Sequence, residues 1–335
     1  MKAAPFARWM SAPVLGCLIC VAIHAGASPV RAIDSVAMTV SDLDASRAFY
    51  EHVLNFAFVS DTEVSGEPYE HLYGVFGLRL RTVTLKLGDE RLQLAQFIAP
   101  RGRPFPADSN SNDRWFQHIA VIASDMDHAY AWLREHKVTF ASSSPQVLPS
   151  WNQQAAGISA FYFRDPDGHY LEVLHFPPDK GNPKWQNKLG QLFLGIDHTA
   201  IVVSDTDASL RFYRDTLGMT VAGSSENFGT EQEHLNNVFG ARLRITALRT
   251  TGGPGVELLE YLSPRTGRPM PLDTRANDLW HWQINFSADI RESERLIRAN
   301  HYPMISPGVV AAAEGLMITD PDGHASLLLQ ADHPR

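Results

Sequence analysis

Ile33-Asp34-Ser35-Val36-Ala37-Met38-Thr39-Val40-Ser41-Asp42 returns 163 residues later as Ile196-Asp197-His198-Thr199-Ala200-Ile201-Val202-Val203-Ser204-Asp205. The same offset lays Phe49-Tyr50 on Phe212-Tyr213, Glu70-His71-Leu72 on Glu233-His234-Leu235, and Val75-Phe76-Gly77 on Val238-Phe239-Gly240. The chain is therefore two duplicate halves. Each half divides again. Gln117-His118-Ile119-Ala120-Val121-Ile122-Ala123-Ser124-Asp125 repeats the apolar opening that ends in aspartate, and Asp289 closes a similar run beginning near Trp280. Four modules result. In each, the closing aspartate is placed to cap a helix, predicted over Ser46–Leu54, His128–His136, Ser209–Leu217 and Arg291–Asn300.

Three strand-like runs follow each helix. They are predicted over Phe56–Val59, Leu80–Leu87 and Arg91–Ile98 in the first module, and over Thr220–Ala222, Leu243–Leu248 and Gly255–Leu262 in the third. In modules two and four the last two strands are joined by Asp165-Pro166-Asp167-Gly168-His169 and Asp320-Pro321-Asp322-Gly323-His324. Proline presets one turn dihedral and glycine takes the positive one, so both read as hairpins that fix the register of the strand that follows. A Pro-, Lys- and Asn-rich stretch separates the halves. The predicted layout is a signal segment at 1–32, a first domain at 33–176, a linker at 177–193 and a second domain at 194–331.

The signal segment rests on Lys2 and Arg8 before a mostly apolar run from Trp9 to Ile23, then Ala25-Gly26-Ala27. That run is shorter than the roughly 20 apolar residues of a spanning helix, which predicts cleavage, after Ala27 or Ala32, and a periplasmic or secreted product. A lipoprotein site at Cys17 is the weaker alternative, because the apolar run continues past it. Cys17 and Cys20 are the only cysteines, so a mature chain would have neither disulfides nor thiolate ligands. Loss of residues 1–27 removes two bases and no acid, moving the formal charge from −8 to −10. Such an acidic surface argues against nucleic acid or an anionic membrane as partner and is silent on small molecules.

Four metal-type side chains stand out in the order His118, Glu172, His198, Glu257. Glu172 lies in Leu-Glu-Val-Leu-His-Phe (171–176) and Glu257 in Val-Glu-Leu-Leu-Glu-Tyr (256–261), two copies of one strand pattern. Each module-like unit would give one imidazole and one carboxylate to a single site. The competing reading makes each histidine a hydrogen-bonded core residue and each glutamate a solvated one. Strand alternation turns His175 and Glu260 to the opposite face, where solvation is expected. His71 and His234 either border a pocket or pack loops. Arg101, Arg103, Arg265 and Arg268 either grip a substrate carboxylate or lie in solvated turns, and Trp151, Trp280 and Trp282 line an apolar pocket or belong to the core.

The βαβββ module repeated four times, the Ile-Asp-His opening, Phe-Tyr in the helix and the Asp-Pro-Asp-Gly-His hairpin together resemble the vicinal oxygen chelate superfamily, which includes glyoxalase I, extradiol dioxygenases and bleomycin resistance proteins. The resemblance spans nearly all of residues 33–330. It implies an α+β fold in which paired modules form cupped mixed sheets, in two tandem glyoxalase-like domains. It also implies that metal ligands come from the opening and closing strands. The opening positions are Ser35, His118, His198 and, in module four, Trp282 or Gln283, with His281 a candidate if the register shifts; the closing positions are Gln93, Glu172, Glu257 and Leu327.

Pairing within each half would split the four ligands into two half-sites. Pairing of module two with three, and one with four, would assemble His118, Glu172, His198 and Glu257 around one divalent ion (Zn, Ni, Co, Mn or Fe(II)), and is the expected arrangement. The resemblance then implies a glyoxalase-like lyase or isomerase acting on a small oxygenated substrate, with Glu172 or Glu257 as the base. An iron-dependent extradiol-type dioxygenase and a metal-free binding protein are the alternatives. Both cups can be completed within one chain, so a monomer is expected, with a homodimer the alternative.

Overall fold

The computed structural model describes residues 1, 28–186 and 190–331; most of the expected signal segment, with Cys17 and Cys20, lies outside the described residues. The first module supplies strands β1 (Val30–Thr39), β2 (Ala57–Ser65), β3 (Arg79–Leu87) and β4 (Glu90–Ala99). The second supplies β5 (Gln117–Ala123), β6 (Thr139–Phe140), β7 (Gln146–Val147), β8 (Ser159–Arg164) and β9 (Tyr170–His175). The third supplies β10 (Phe193–Val203), β11 (Thr220–Phe228), β12 (Arg242–Arg249) and β13 (Gly255–Ser263), and the fourth β14 (Trp282–Ala288), β15 (Gly315–Thr319) and β16 (Ala325–Gln330).

The strand order is crossed. One sheet runs β15-β16-β14-β1-β4-β3-β2, joining modules one and four; the other runs β11-β12-β13-β10-β5-β9-β8-β6, with β7 on β8, joining modules two and three. Pairing within halves is thus excluded. Each sheet has its two opening strands antiparallel at the centre, β1 with β14 and β5 with β10, and each opening strand is parallel to its own closing strand.

The four expected helices form one to three residues earlier than predicted, as α1 (Leu43–Val53), α3 (Met126–Glu135), α4 (Thr206–Leu210) and α6 (Ile290–Ala299). Their caps are those read from sequence: Asp42, Asp125, Asp205 and Asp289 each accept a first-turn backbone N–H. α4 runs on into a π-helical turn, Arg211–Thr216. Two short helices, α2 (Glu67–Tyr73) and α5 (Thr230–Asn236), were not predicted; each follows an extended edge strand.

Alternation along the opening strands divides two environments. Ile119, Val121 and Ile196 face a core shared by modules one and two, whereas His118, Ala120 and Ala200 face the other side, with Ile122 and Val202 in a separate cluster. Ile201 and Val203 join the matching core of modules three and four. Both faces of β10 are therefore covered, and all eleven of its residues are buried. The halves share helical cores while the cups are shared between halves.

The two hairpins also tie each half together. Tyr50 Oη donates to Asp165 Oδ2 (3.1 Å) and Tyr213 Oη to Asp320 Oδ2 (3.2 Å). His169 and His324 lie 2.9 Å from the same carboxylates through Nδ1. Every polar atom of this buried hub matters, because an unpaired group there would cost about 1–3 kcal/mol.

Candidate metal centre

Register brings the four metal-type residues to one place. His118 on β5 lies opposite Ala200 on β10, and His198 opposite Ala120. Ala120 is beside Glu172 on β9, and Ala200 beside Glu257 on β13. Four adjacent strands, β9, β5, β10 and β13, thus each present one residue to the same face. Glu172 Oε2 lies 3.2 Å from His118 Nε2 and 3.5 Å from His198 Nε2, and Glu257 Oε2 lies 3.5 Å from His198 Nε2. One ligand atom each from His118, Glu172 and His198 lies within 4.8 Å of the others. Those three are buried, while the Glu257 side chain is 24% exposed and stands at the rim.

The protonation pattern follows from this crowding. Burial opposes ionisation of Glu172, yet the two imidazoles hold its pKa down to about 2. Burial likewise opposes charge on His198, but Glu257, Asp197 and Glu172 raise its pKa to about 10. His118 has no hydrogen-bond partner on either ring nitrogen, although Nε2 points toward Glu172. His118 thus meets only the Glu172 carboxylate, through Nε2 and without hydrogen-bond geometry, an arrangement an ion between the two would complete, and the donor set, two imidazoles with two carboxylates, suits a divalent first-row ion.

Behind the ligands lies a support the sequence reading did not single out. His198 Nδ1 is 3.0 Å from Asp197 Oδ2, which fixes Nε2 as the atom facing the carboxylates. Asp197 in turn accepts Arg249 Nη2 (2.8 Å) and Trp185 Nε1 (2.9 Å). Burial opposes its ionisation, but His198 and Arg249 hold its carboxyl far below the ordinary range. Trp185 belongs to the expected linker, where a 3₁₀ turn, Pro183–Gln186, buries it. The only signal was an aspartate immediately before a ligand histidine.

The other cup has the same frame without the ligands. Gln283, not Trp282, pairs with Ala37 as His118 pairs with Ala200, which settles the module-four opening position. Trp282 points into the shared core, and His281 is buried 3.4 Å from Gln283, its pKa pushed down to about 4 by burial. Where the metal-type cup has Ala120, this cup has Asn285, whose Nδ2 donates to Ser35 Oγ and Gln93 Oε1 (both 2.9 Å). Leu327 takes the place of Glu172. An amide network fills the space a metal would need.

The expected solvation of Glu260 and His175 is corrected, and alternatives left open elsewhere are decided. Glu260 is buried and accepts the Thr206 N–H (3.2 Å), and His175 is half-buried, 3.0 Å from the Ala123 carbonyl; neither is solvated. Arg103 pairs with Asp278 and Asp273, and Arg268 with Asp113 and Asp108, so both rivet loops across the halves. Trp280 packs under Arg103, and Trp151 stacks on Phe228 at the surface. His71 and His234 sit on α2 and α5 and do not line the cavity holding the quartet. That cavity is about 110 Å³; larger surface hollows of about 590, 570 and 1000 Å³ contain none of the four.

Residues 32–173 and 195–326 match the model of the Glyoxalase/Bleomycin resistance protein/Dioxygenase superfamily. The chain belongs to this superfamily, as two tandem glyoxalase domains of mixed α and β structure. Glyoxalase I from Zea mays is similar in structure, with a TM-score of 0.56 at 14% identity over 90% of this chain and 92% of that one. A putative dioxygenase from Bacillus subtilis gives a TM-score of 0.57 at 13% identity, over 92% and 87%. At such identities the likeness is one of fold. No curated protein matches the chain in sequence. No helix among the described residues is long and apolar enough to cross a membrane.

Proposed function

We propose that this protein is a divalent-metal enzyme that moves a proton between adjacent carbons of a small oxygenated substrate, as a glyoxalase-like isomerase or lyase. The observation that carries the reading is the convergence of His118, Glu172 and His198 within 4.8 Å on one buried face, with Glu257 beside His198. These four residues would hold the ion. When bound, it would supply Lewis acidity toward the negative charge that develops on the substrate's oxygens. Glu172, enclosed by both imidazoles, serves as a fixed anionic ligand. Glu257, nearer solvent and held by fewer partners, is the carboxylate able to swing and carry the proton.

The test is solvent-deuterium incorporation at carbon when the metal-loaded protein is incubated in D₂O with small α-hydroxyketones. Exchange in wild type, abolished in Glu257→Gln with metal retained, is the expected result. Absence of exchange across the panel counts against the reading. The buried set of two histidines and one glutamate also matches the facial triad of ferrous oxygenases, which favours an extradiol-type dioxygenase as the second reading. Oxygen uptake with catechols by the iron-loaded protein separates the two.

The address and assembly belong to the same proposal. Export with cleavage after Ala27 leaves Ser28, whose hydroxyl donates to the Val30 and Leu217 carbonyls; cleavage after Ala32 would remove Val30 from the core. N-terminal sequencing of the periplasmic fraction checks it. Both cups are complete within one chain, which supports a monomer.

A further inference from the structure

The cavity that holds the metal-type residues has a further polar member in its lining, and it concerns what the substrate must look like. Gln232, on α5, lines the cavity, is 2% exposed, and has its side-chain Oε1 without a partner. Its Nε2 donates to Asn236 Oδ1. Turning both amides over would make Asn236 Nδ2 the donor to Gln232 Oε1 and would still leave one atom of the Gln232 amide without a partner. A buried amide atom without a partner is costly unless a ligand completes it.

The rest of the lining sets the charge. Its ionisable members are the two histidines, Glu172, Asp197, Glu257 and the phenol of Tyr162, with no lysine or arginine, and the Arg249 guanidinium is engaged by Asp197. The remaining wall is mostly aliphatic, including Leu148, Ile158, Leu235 and Ile245. The volume, about 110 Å³, is smaller than the roughly 150 Å³ of a cavity that takes one benzene. Nothing there would neutralise an anionic arm, and an amide is suited to a neutral donor or acceptor.

We infer that Gln232 is a specificity residue, and that the substrate is a compact molecule, uncharged outside its metal-binding oxygen pair, with a hydroxyl or N–H bound by the Gln232 amide. This rests on the metal-enzyme reading above and narrows its substrate class. Substrates with an anionic peptide or carboxylate arm are excluded by it.

Hydroxamates test this, because they present two adjacent oxygens to a metal whatever the natural substrate is. Titration calorimetry with the metal-loaded full chain would compare acetohydroxamate, its N-methyl derivative, which lacks the N–H, and malonomonohydroxamate, which adds a carboxylate. Wild type should prefer acetohydroxamate over the carboxylated probe by about tenfold or more, and over the N-methyl probe by roughly five- to tenfold. In Gln232→Leu the N–H preference should collapse while metal content stays at the wild-type level; Gln232→Met serves if the leucine variant folds poorly. Equal or tighter binding of the carboxylated probe, or a Gln232 variant that weakens both neutral probes alike, overturns the inference and leaves the metal centre standing. Failure of wild type to hold metal would instead overturn the parent reading, and this inference with it.

Discussion

Asp197→Asn isolates the support of the proposed centre without touching a ligand. Asp197 accepts three hydrogen bonds: from His198 and Arg249 on Oδ2 and from Trp185 on Oδ1. An asparagine can turn its oxygen toward only one of those sides, so its NH₂ must face a donor on the other. If it faces His198, the imidazole is driven to the opposite tautomer, with the proton on Nε2, and that nitrogen can no longer bind metal. If it faces Trp185, the indole N–H is left unpaired in a buried position and the negative charge behind His198 is lost. Either way affinity falls, and partners of this kind are typically worth 10- to 100-fold, or about 1.4–2.7 kcal/mol. Competition against a chromophoric chelator, with the ion that wild type retains, gives the number. Asp34→Asn, the matching change in the other cup, should leave metal affinity unaltered. An unchanged affinity in Asp197→Asn refutes the orienting role, and a loss beyond about a thousandfold would mean that Asp197 is itself a ligand.

Other consequences can be checked together. Because His198 has a pKa near 10 before metal binds, uptake of the ion at neutral pH should release about one proton, and affinity should weaken as pH falls; calorimetry in buffers of different ionisation enthalpy measures the release. In chelator-treated protein, a raised His198 pKa contributes stability that is complete below about pH 6.5 and lost as pH rises toward 10. The depressed Glu172 pKa contributes stability present above about 4.5 and lost as pH falls toward 2, so thermal melts should decline in both directions. Tyr50→Phe and Tyr213→Phe each remove a buried hydrogen bond to a hairpin aspartate and should cost about 1–3 kcal/mol in urea unfolding, with metal stoichiometry unchanged.

Much of this was legible because the duplication is written in local patterns. The apolar openings, the capping aspartates and the two hairpins are short-range features, and so is the repeated strand context of Glu172 and Glu257. Module pairing is long-range, and the expectation of crossed pairing came from grouping the strong ligands, which the strand order bears out. β2 and β11 were underestimated in length because both are edge strands with most positions exposed, so no alternation marks them. α2 does carry a local signal, Pro68 in its first turn and Gly74 as left-handed cap. Glu260 alternates away from the cavity as expected, but the N-terminus of α4 covers it there. Trp185, Gln232 and Asn285 had no sequence signal: Trp185 matters through Asp197 on the next strand, Gln232 through a cavity enclosed by residues of modules two and three, and Asn285 through Ser35 and Gln93 in the other half.

The central claim is that one cup holds metal and the other cannot. Metal content per chain should therefore be measured by mass spectrometry on untagged protein, for wild type, His118→Ala, Glu172→Ala and Ser35→Ala. The account predicts one tightly held divalent ion in wild type and in Ser35→Ala, and its loss in the other two. Two ions per chain, or none after reconstitution with the first-row series, would contradict it.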